Sequence, residues 1–369
     1  MPATTPVKPL RLLVVLPSWV GDVVMATPAL RLLRDSLKGS FIGALCRPGI
    51  DELLAGSSLV DELHVERGGG VFGPKLLAAK VRPRMYDTAL LLTNSFSTAL
   101  VTRIAGIPRR IGYNRDGRGF LLTEKLVAPR RGDGEFAIIP ACRYYWDAAE
   151  SILHEYQPRY NALCATPIPL AFTSGVFMEL GVSPAQHAAA KTVLDRAGIN
   201  LDLPYAILNP GGNNPAKRWP AERFAAIADL LATHRRMQIV VNGSPAEAEV
   251  IEAVIGHAKA TRPVSLASCG ITLGALKPII AGASLVVTND TGPRHIAAAM
   301  GTPLVSLFGP TDHRWTLIPT RPSGREAIIT ADPSLPEALS ANDHPDRCAI
   351  DKITVETVWE AIEATLGTS

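Results

Sequence analysis

The chain has 369 residues, 47% of them apolar and 19% charged, and carries a formal net charge of +3. At about 100–200 residues per domain this predicts two domains with sizeable cores, and it excludes a disordered chain. The slight positive balance excludes a dedicated nucleic-acid binder, so no nucleic-acid partner is expected.

Residues 10–17 (LRLLVVLP) read as a buried strand. Pro17, Gly21 and Asp22 break the apolar run well short of the ~18 residues that a membrane span needs, and no cleavage-site pattern follows it. A helix is predicted over 28–38, a strand over 41–46, a short strand over 61–65, a helix over 75–83, a strand over 88–93 and a helix over 95–106. The stretch 178–198 reads as a helix and connection. The alternation then restarts. Strands are expected at 205–211, 237–244, 263–268, 284–290 and 303–310, and helices at 220–235, 245–258, 272–283, 292–301 and 354–366. This β-α-β rhythm predicts an α/β fold of two Rossmann-like, doubly wound domains. The expected boundaries are 1–185, 186–350 and a C-terminal helix, 351–369. Ligands of such open sheets bind beyond the carboxyl ends of the strands, so a central cleft between the two domains is the expected site.

Cys46, Cys142, Cys164, Cys269 and Cys348 are scattered and form no CxxC pair. They read as reduced thiols of a cytoplasmic protein that can touch a membrane surface. HPDR (344–347) beside Cys348 is too thin a pattern for a metal site, and none is expected.

Behind the strand at 284–290 stands TNDTGPRHIAAAMGTP (288–303). A core needs no Asn, Asp, Thr and His at the mouth of a buried strand; a ligand does. Thr291 and Gly292 suit the turn, and Pro293 suits the first helical position, where a missing N–H costs nothing. The helix start offers N–H groups and partial positive charge to an anion. His295, one turn in, is placed to point at the same anion, and Asp290 to accept from sugar hydroxyls. A helix cap with a surface histidine is the plain alternative.

NPGGNNPAKRWP (209–220) follows its strand in the same way. Gly211 and Gly212 permit close backbone approach, Asn213 and Asn214 add polar groups, and Lys217 and Arg218 can neutralise phosphate. Two anion-compatible loops in one half point to a nucleotide diphosphate. Ser244-Pro245 with Glu247 reads instead as helix capping. In the first half, LPSWVGDVVMATPAL (16–30) lacks the GxGxxG fingerprint, which argues against a dehydrogenase. Asp22 repels phosphate and suits a general base, although it serves equally as a helix cap. Trp19 reads either as a stacking surface for a sugar or as core. The segment 103–131 is basic, with Arg103, Arg109, Arg110, Arg115, Arg118, Lys125, Arg130 and Arg131. It reads as a mobile loop able to grip an anionic acceptor, with Arg115 and Arg118 as candidate contacts.

Together PSWVGDVVMATPALRLL, NPGGNNPAKRWPAERFAAIADLL and VVTNDTGPRHIAAAMGTPLVSLFGPTD resemble glycosyltransferase family 9, the heptosyltransferases, over about residues 10 to 366. The pattern is most similar to the type that adds the second heptose. The resemblance implies a GT-B fold whose C-terminal helix crosses back to the first domain. It implies inverting, metal-independent transfer of heptose from ADP-L-glycero-β-D-manno-heptose to a lipid-linked, anionic inner-core saccharide of lipopolysaccharide. No cofactor is implied, since the ADP-sugar is a substrate. The implied location is the cytoplasm, at the inner face of the inner membrane. Asp22 matches the family's general base, and Lys217 its lysine at the donor phosphates. Asp290, Thr291, Gly292 and His295 match the donor-binding element, and Gly212 and Asn213 the loop ahead of the lysine. Arg294 departs from the pattern, which favours an apolar residue; it reads as a further phosphate or acceptor contact or as a solvated helix position. Another nucleotide sugar or acceptor, or a noncatalytic nucleotide-sugar-binding module, remain the alternatives.

Overall fold

The structure, a computed structural model, describes residues 9–65, 72–130, 134–160, 175–319, 321 and 324–367, with the side chains of 155–160 excepted. Two compact units follow one another, 1–174 and 175–369.

In unit 1, β1 (Arg11–Val15), α1 (Val20–Ser36), β2 (Phe41–Cys46), α2 (Ile50–Leu54), β3 (Glu62–Val65), α3 (Gly73–Val81), β4 (Thr88–Leu91), α4 (Phe96–Ile104), β5 (Arg109–Tyr113), β6 (Glu124–Leu126) and α5 (Ala141–Tyr160) follow in order. Among the described residues they form one six-stranded sheet, β3-β2-β1-β4-β5-β6. Every pairing in it is parallel. Leu12, Leu13 and Val14 of β1 are fully buried because helices cover both faces of a parallel sheet.

α1 begins eight residues before the expected start at Pro28, which lies inside it. Proline leaves the carbonyl four residues back without its N–H donor. Here the Thr27 hydroxyl donates to that Val24 carbonyl at 2.7 Å, so the helix passes through.

The expected loop 103–131 is largely regular structure: the end of α4, then β5 and β6. Several of its arginines are held within the unit. Arg109 forms a forked pair with Glu124, one arm at 2.8 Å. Arg110 donates to the carbonyls of Leu121 at 2.7 Å and Ile107 at 2.5 Å. Arg131 lies outside the described residues, as does Cys164.

Unit 2 contains α6 (Pro184–Arg196), β7 (Tyr205–Asn209), α7 (Ala221–Arg235), β8 (Gln238–Val241), α8 (Ala248–His257), β9 (Val264–Ser265), α9 (Leu273–Gly282), β10 (Leu285–Asn289), α10 (Gly292–Met300), β11 (Leu304–Phe308), β12 (Glu326–Thr330) and α11 (Val355–Leu366). Its described residues form a second six-stranded sheet, β12-β11-β10-β7-β8-β9. It too is parallel throughout. The units divide at 174/175; the expected boundary at 185/186 would split the Ser183–Gln186 capping box that starts α6. The C-terminal helix expected as a separate segment belongs to unit 2: α11 packs on α7, β11 and β12, with Val358 and Ile362 in the core. Among the described residues no helix is long and apolar enough to cross a membrane.

Candidate functional site

In unit 2 the strand order reverses between β7 and β10, the topological switch point where open α/β sheets bind ligands. The two loops singled out in the sequence leave the sheet on either side of this point. Asn289, at the end of β10, stitches them together: its amide donates to the carbonyls of Pro210 at 2.9 Å and Gly211 at 3.1 Å. Its oxygen accepts from Trp219 N–H at 3.2 Å. Gly212 lies where the loops meet, and a Cβ there would stand in ordinary contact, 3.4 Å from Thr291 Cγ2. At Gly211 a Cβ would fall 2.1 Å from Glu247 Oε1. Glu247 is fixed by the expected capping box, accepting from Ser244 N–H at 2.7 Å and its hydroxyl at 2.9 Å.

Lys217 reaches from the β7 loop to Asp290, Nζ to Oδ2 at 3.0 Å. Arg218, the other expected phosphate group, donates to the Gly212 carbonyl at 2.8 Å and so braces its own loop. Asn213 is exposed. Burial alone would raise the Asp290 carboxyl, but the nearby Lys217 and Arg294 cations outweigh it and hold the group below its ordinary value. Asp290 is therefore ionised at neutral pH. Thr291 is the N-cap residue of α10, yet its side chain makes no cap hydrogen bond. Its hydroxyl turns back to Thr288 and the Asn289 carbonyl, both at 3.3 Å. Pro293 has no N–H and the Arg294 N–H donates to the Thr291 carbonyl at 3.1 Å, so what the helix start offers an anion is the Gly292 N–H and the positive end of its dipole.

His295 is buried, not on the surface, and burial followed by the Arg294 charge pushes its pKa down to about 3. It is a neutral imidazole close enough to Asp290 and Lys217 to feel their charges, and its Nδ1 has no partner among the described residues. Arg294 is neither solvated nor turned toward a ligand. It is fully buried and donates to Glu326 Oε1 at 2.7 Å.

In unit 1 the corresponding reversal lies between β1 and β4. Asp22, half-buried in the first turn of α1, leaves the sheet from β1 beside it. Tyr145 of α5 donates its phenol O–H to Asp22 Oδ1 at 3.0 Å. Burial, then the Asp22 charge, raises the Tyr145 phenol well above its ordinary value, so it remains a donor. Tyr144 stacks on Tyr113 with ring centroids 3.8 Å apart and meets Tyr145 edge-on at 5.9 Å. Trp19 is 61% exposed just ahead of α1, which removes the core alternative for it. Arg115 lies over the Phe136 ring at 3.9 Å.

Arg118 does not stand in a surface loop. It is fully buried, and it donates to the carbonyls of Thr93 and Tyr113 and to Asn94 Oδ1 at 3.0 Å. As an acceptor contact it is corrected to a strut that ties the end of β5 to the loop after β4. Tyr145, Asn94 and Glu326 were not singled out in the sequence, and Asn289 was read there as a ligand-side residue, not as the stitch between the two loops. No local motif marks them, because each acts through a residue far away in the chain.

The E. coli ADP-heptose lipopolysaccharide heptosyltransferase II structure superposes with a TM-score of 0.76 at 26% identity, over 97% of this chain and 98% of that one. A family 9 glycosyltransferase structure from Veillonella parvula gives a TM-score of 0.80 at 21% identity, over 98% of both. The paired parallel-sheet units are therefore those of a GT-B glycosyltransferase. The family model for glycosyltransferase family 9 (heptosyltransferase) matches residues 76–136 and 154–337, more than half of the chain. The chain belongs to glycosyltransferase family 9. It is 28% identical over 319 residues to lipopolysaccharide heptosyltransferase 2 of E. coli K12, covering 83% of this chain and 85% of that one. It is 35% identical over 310 residues to an E. coli lipopolysaccharide heptosyltransferase 3, covering 79% and 82%.

Proposed function

We propose that the protein is an inverting, metal-independent heptosyltransferase of the second type. It takes ADP-L-glycero-β-D-manno-heptose as donor and a lipid-linked, phosphorylated inner-core saccharide at the inner face of the inner membrane as acceptor. The observation that carries this reading is the Lys217–Asp290 pair at the switch point of unit 2, next to the uncapped start of α10. A cation beside the positive end of a helix suits a diphosphate, and the buried Asp290 carboxylate holds that cation in place.

The Asp22 carboxylate takes the proton of the acceptor hydroxyl, whose oxygen forms the new bond to the anomeric carbon. The bond from that carbon to the diphosphate oxygen breaks, and ADP leaves with its growing charge. Lys217 and the positive end of α10, with its Gly292 N–H, stabilise that charge, and neutral His295 contributes a hydrogen bond. Arg115 and Trp19 are assigned to the acceptor side.

A melting-temperature series tests the donor class, because a ligand that binds the native state stabilises it by mass action. ADP is expected to raise the transition more than UDP, GDP or NAD at equal concentration. A larger shift with UDP or NAD would remove the ADP-sugar assignment. The 35% identity to a heptosyltransferase 3 supports a second reading, transfer onto an acceptor that already carries two heptoses.

A further inference from the structure

Arg294 lies in the first turn of α10 with its side chain wholly out of water. A buried guanidinium is costly unless its charge is matched and its donors are used. Nε donates to Glu326 Oε1 at 2.7 Å and lies 3.3 Å from Ser306 Oγ. Nη1 donates to the Thr316 carbonyl at 2.9 Å and faces Asp290 Oδ1 at 3.4 Å. The Phe308 ring lies 4.7 Å from the guanidinium carbon. Glu326, Arg294, Asp290 and Lys217 thus form a row of alternating charge from β12 to the β7 loop. Their side chains are 6%, 0%, 8% and 24% exposed, so the end of the row that reaches water is the Lys217 ammonium.

We infer that Arg294 and Glu326 are a positioning pair for the donor site, holding Asp290 so that Lys217 is aimed at the donor diphosphate. This rests on the reading of Lys217 as a phosphate-binding group given above. Asp290 Oδ1 is occupied by Arg294 and by the Thr316 hydroxyl at 3.3 Å, which leaves Oδ2 to Lys217 and stops the carboxylate from rotating. Glu326 balances Arg294. Without it the guanidinium would turn its full charge on Asp290 and compete with Lys217. Lysine at 294 would keep the charge but not the fork that holds Glu326 and Asp290 at once.

The test is a cycle of ADP affinities by calorimetry on wild type, Lys217→Ala, the double variant R294M/E326Q and the triple variant, each checked for a cooperative melt. The double variant removes both charges and keeps the net charge. It is expected to bind ADP about tenfold more weakly, and Lys217→Ala is expected to add little further loss in that background, the non-additivity of coupled residues. Should the double variant not fold, Arg294→Lys replaces it in the same cycle, with the same non-additivity expected. Fully additive losses in folded variants overturn the positioning role while leaving Lys217 in the site. A Lys217→Ala variant that binds ADP as well as wild type overturns the phosphate reading, and the positioning role with it.

Discussion

Replacing Tyr145 by Phe removes one hydroxyl from the structure and little else, since the ring stays buried against Tyr144. The lost contact is the 3.0 Å hydrogen bond to Asp22 Oδ1. A hydrogen bond to a charged acceptor contributes about 1.5–3 kcal/mol. Asp22 is half-buried, so water replaces part of the donor, and the lower end of that range applies. At about 1.4 kcal/mol per tenfold, the ionised carboxylate then forms about one pH unit later. The acid limb of the kcat/KM–pH profile is expected to move up by about one unit. The plateau above it stays within a fewfold of wild type, and ADP affinity does not change. The assay is ADP release at subsaturating acceptor, with the pH lowered until the acid limb is defined for both proteins. An acid limb that stays in place, in a variant with a normal melt, would refute the assignment of Asp22 as the titrating base positioned by Tyr145.

Asp22→Ala is expected to lower turnover by a factor on the order of 100 or more with ADP affinity intact, as the loss of a general base does; an unchanged rate would remove the role. His295 binds a proton in the unfolded chain near its ordinary pKa of about 6.5 but in the folded protein only at about 3. Its contribution to stability is therefore complete above pH ~6.5 and is lost progressively as the pH falls toward 3. His295→Gln is expected to flatten the dependence of Tm on pH between about 6.5 and 4; an unaltered slope would show that His295 is not buried in neutral form. Arg118→Met strands the Tyr113 and Thr93 carbonyls and Asn94. It is expected to cost about 3–5 kcal/mol in chemical denaturation, with acceptor KM altered only as far as folding is; a normal stability with a specific rise in acceptor KM would return Arg118 to the binding surface. Excess EDTA is expected to leave turnover unchanged, and strict restoration by a divalent cation would contradict metal-independent transfer.

The β-α-β rhythm was legible because buried parallel strands such as LRLLVV and SLVV are continuous apolar runs, and because strand-to-helix loops carry Gly, Pro and polar residues. The elements that escaped were those whose polar residues find partners elsewhere. β5 begins Arg-Arg, yet Arg109 pairs with Glu124 and Arg110 donates to the carbonyls of Leu121 and Ile107. β12 begins with a glutamate that balances Arg294 across the sheet. α1 was started late because Pro28 reads as a first-turn residue, whereas the Thr27 hydroxyl lets it sit inside the helix. The donor-side loops were legible as loops, and Lys217 and Asp290 do meet. What was hidden is the support behind them. Arg294 and Arg118 read as available positive charge, but a count of basic residues cannot tell a solvated arginine from one whose guanidinium is already committed to carbonyls and carboxylates. Tyr145 reaches Asp22 across 123 positions of sequence, and no spacing announces it.

The most direct measurement is transfer itself. Purified protein is incubated with ADP-L-glycero-β-D-manno-heptose and with Kdo2-lipid A carrying no heptose, one or two, while ADP release and product mass are followed. The expected result is addition of a single heptose to the acceptor that already carries one, and to neither of the others. Transfer only to the acceptor with two heptoses would move the protein to the third type. No transfer to any of the three, with ADP still bound, would contradict the heptosyltransferase reading.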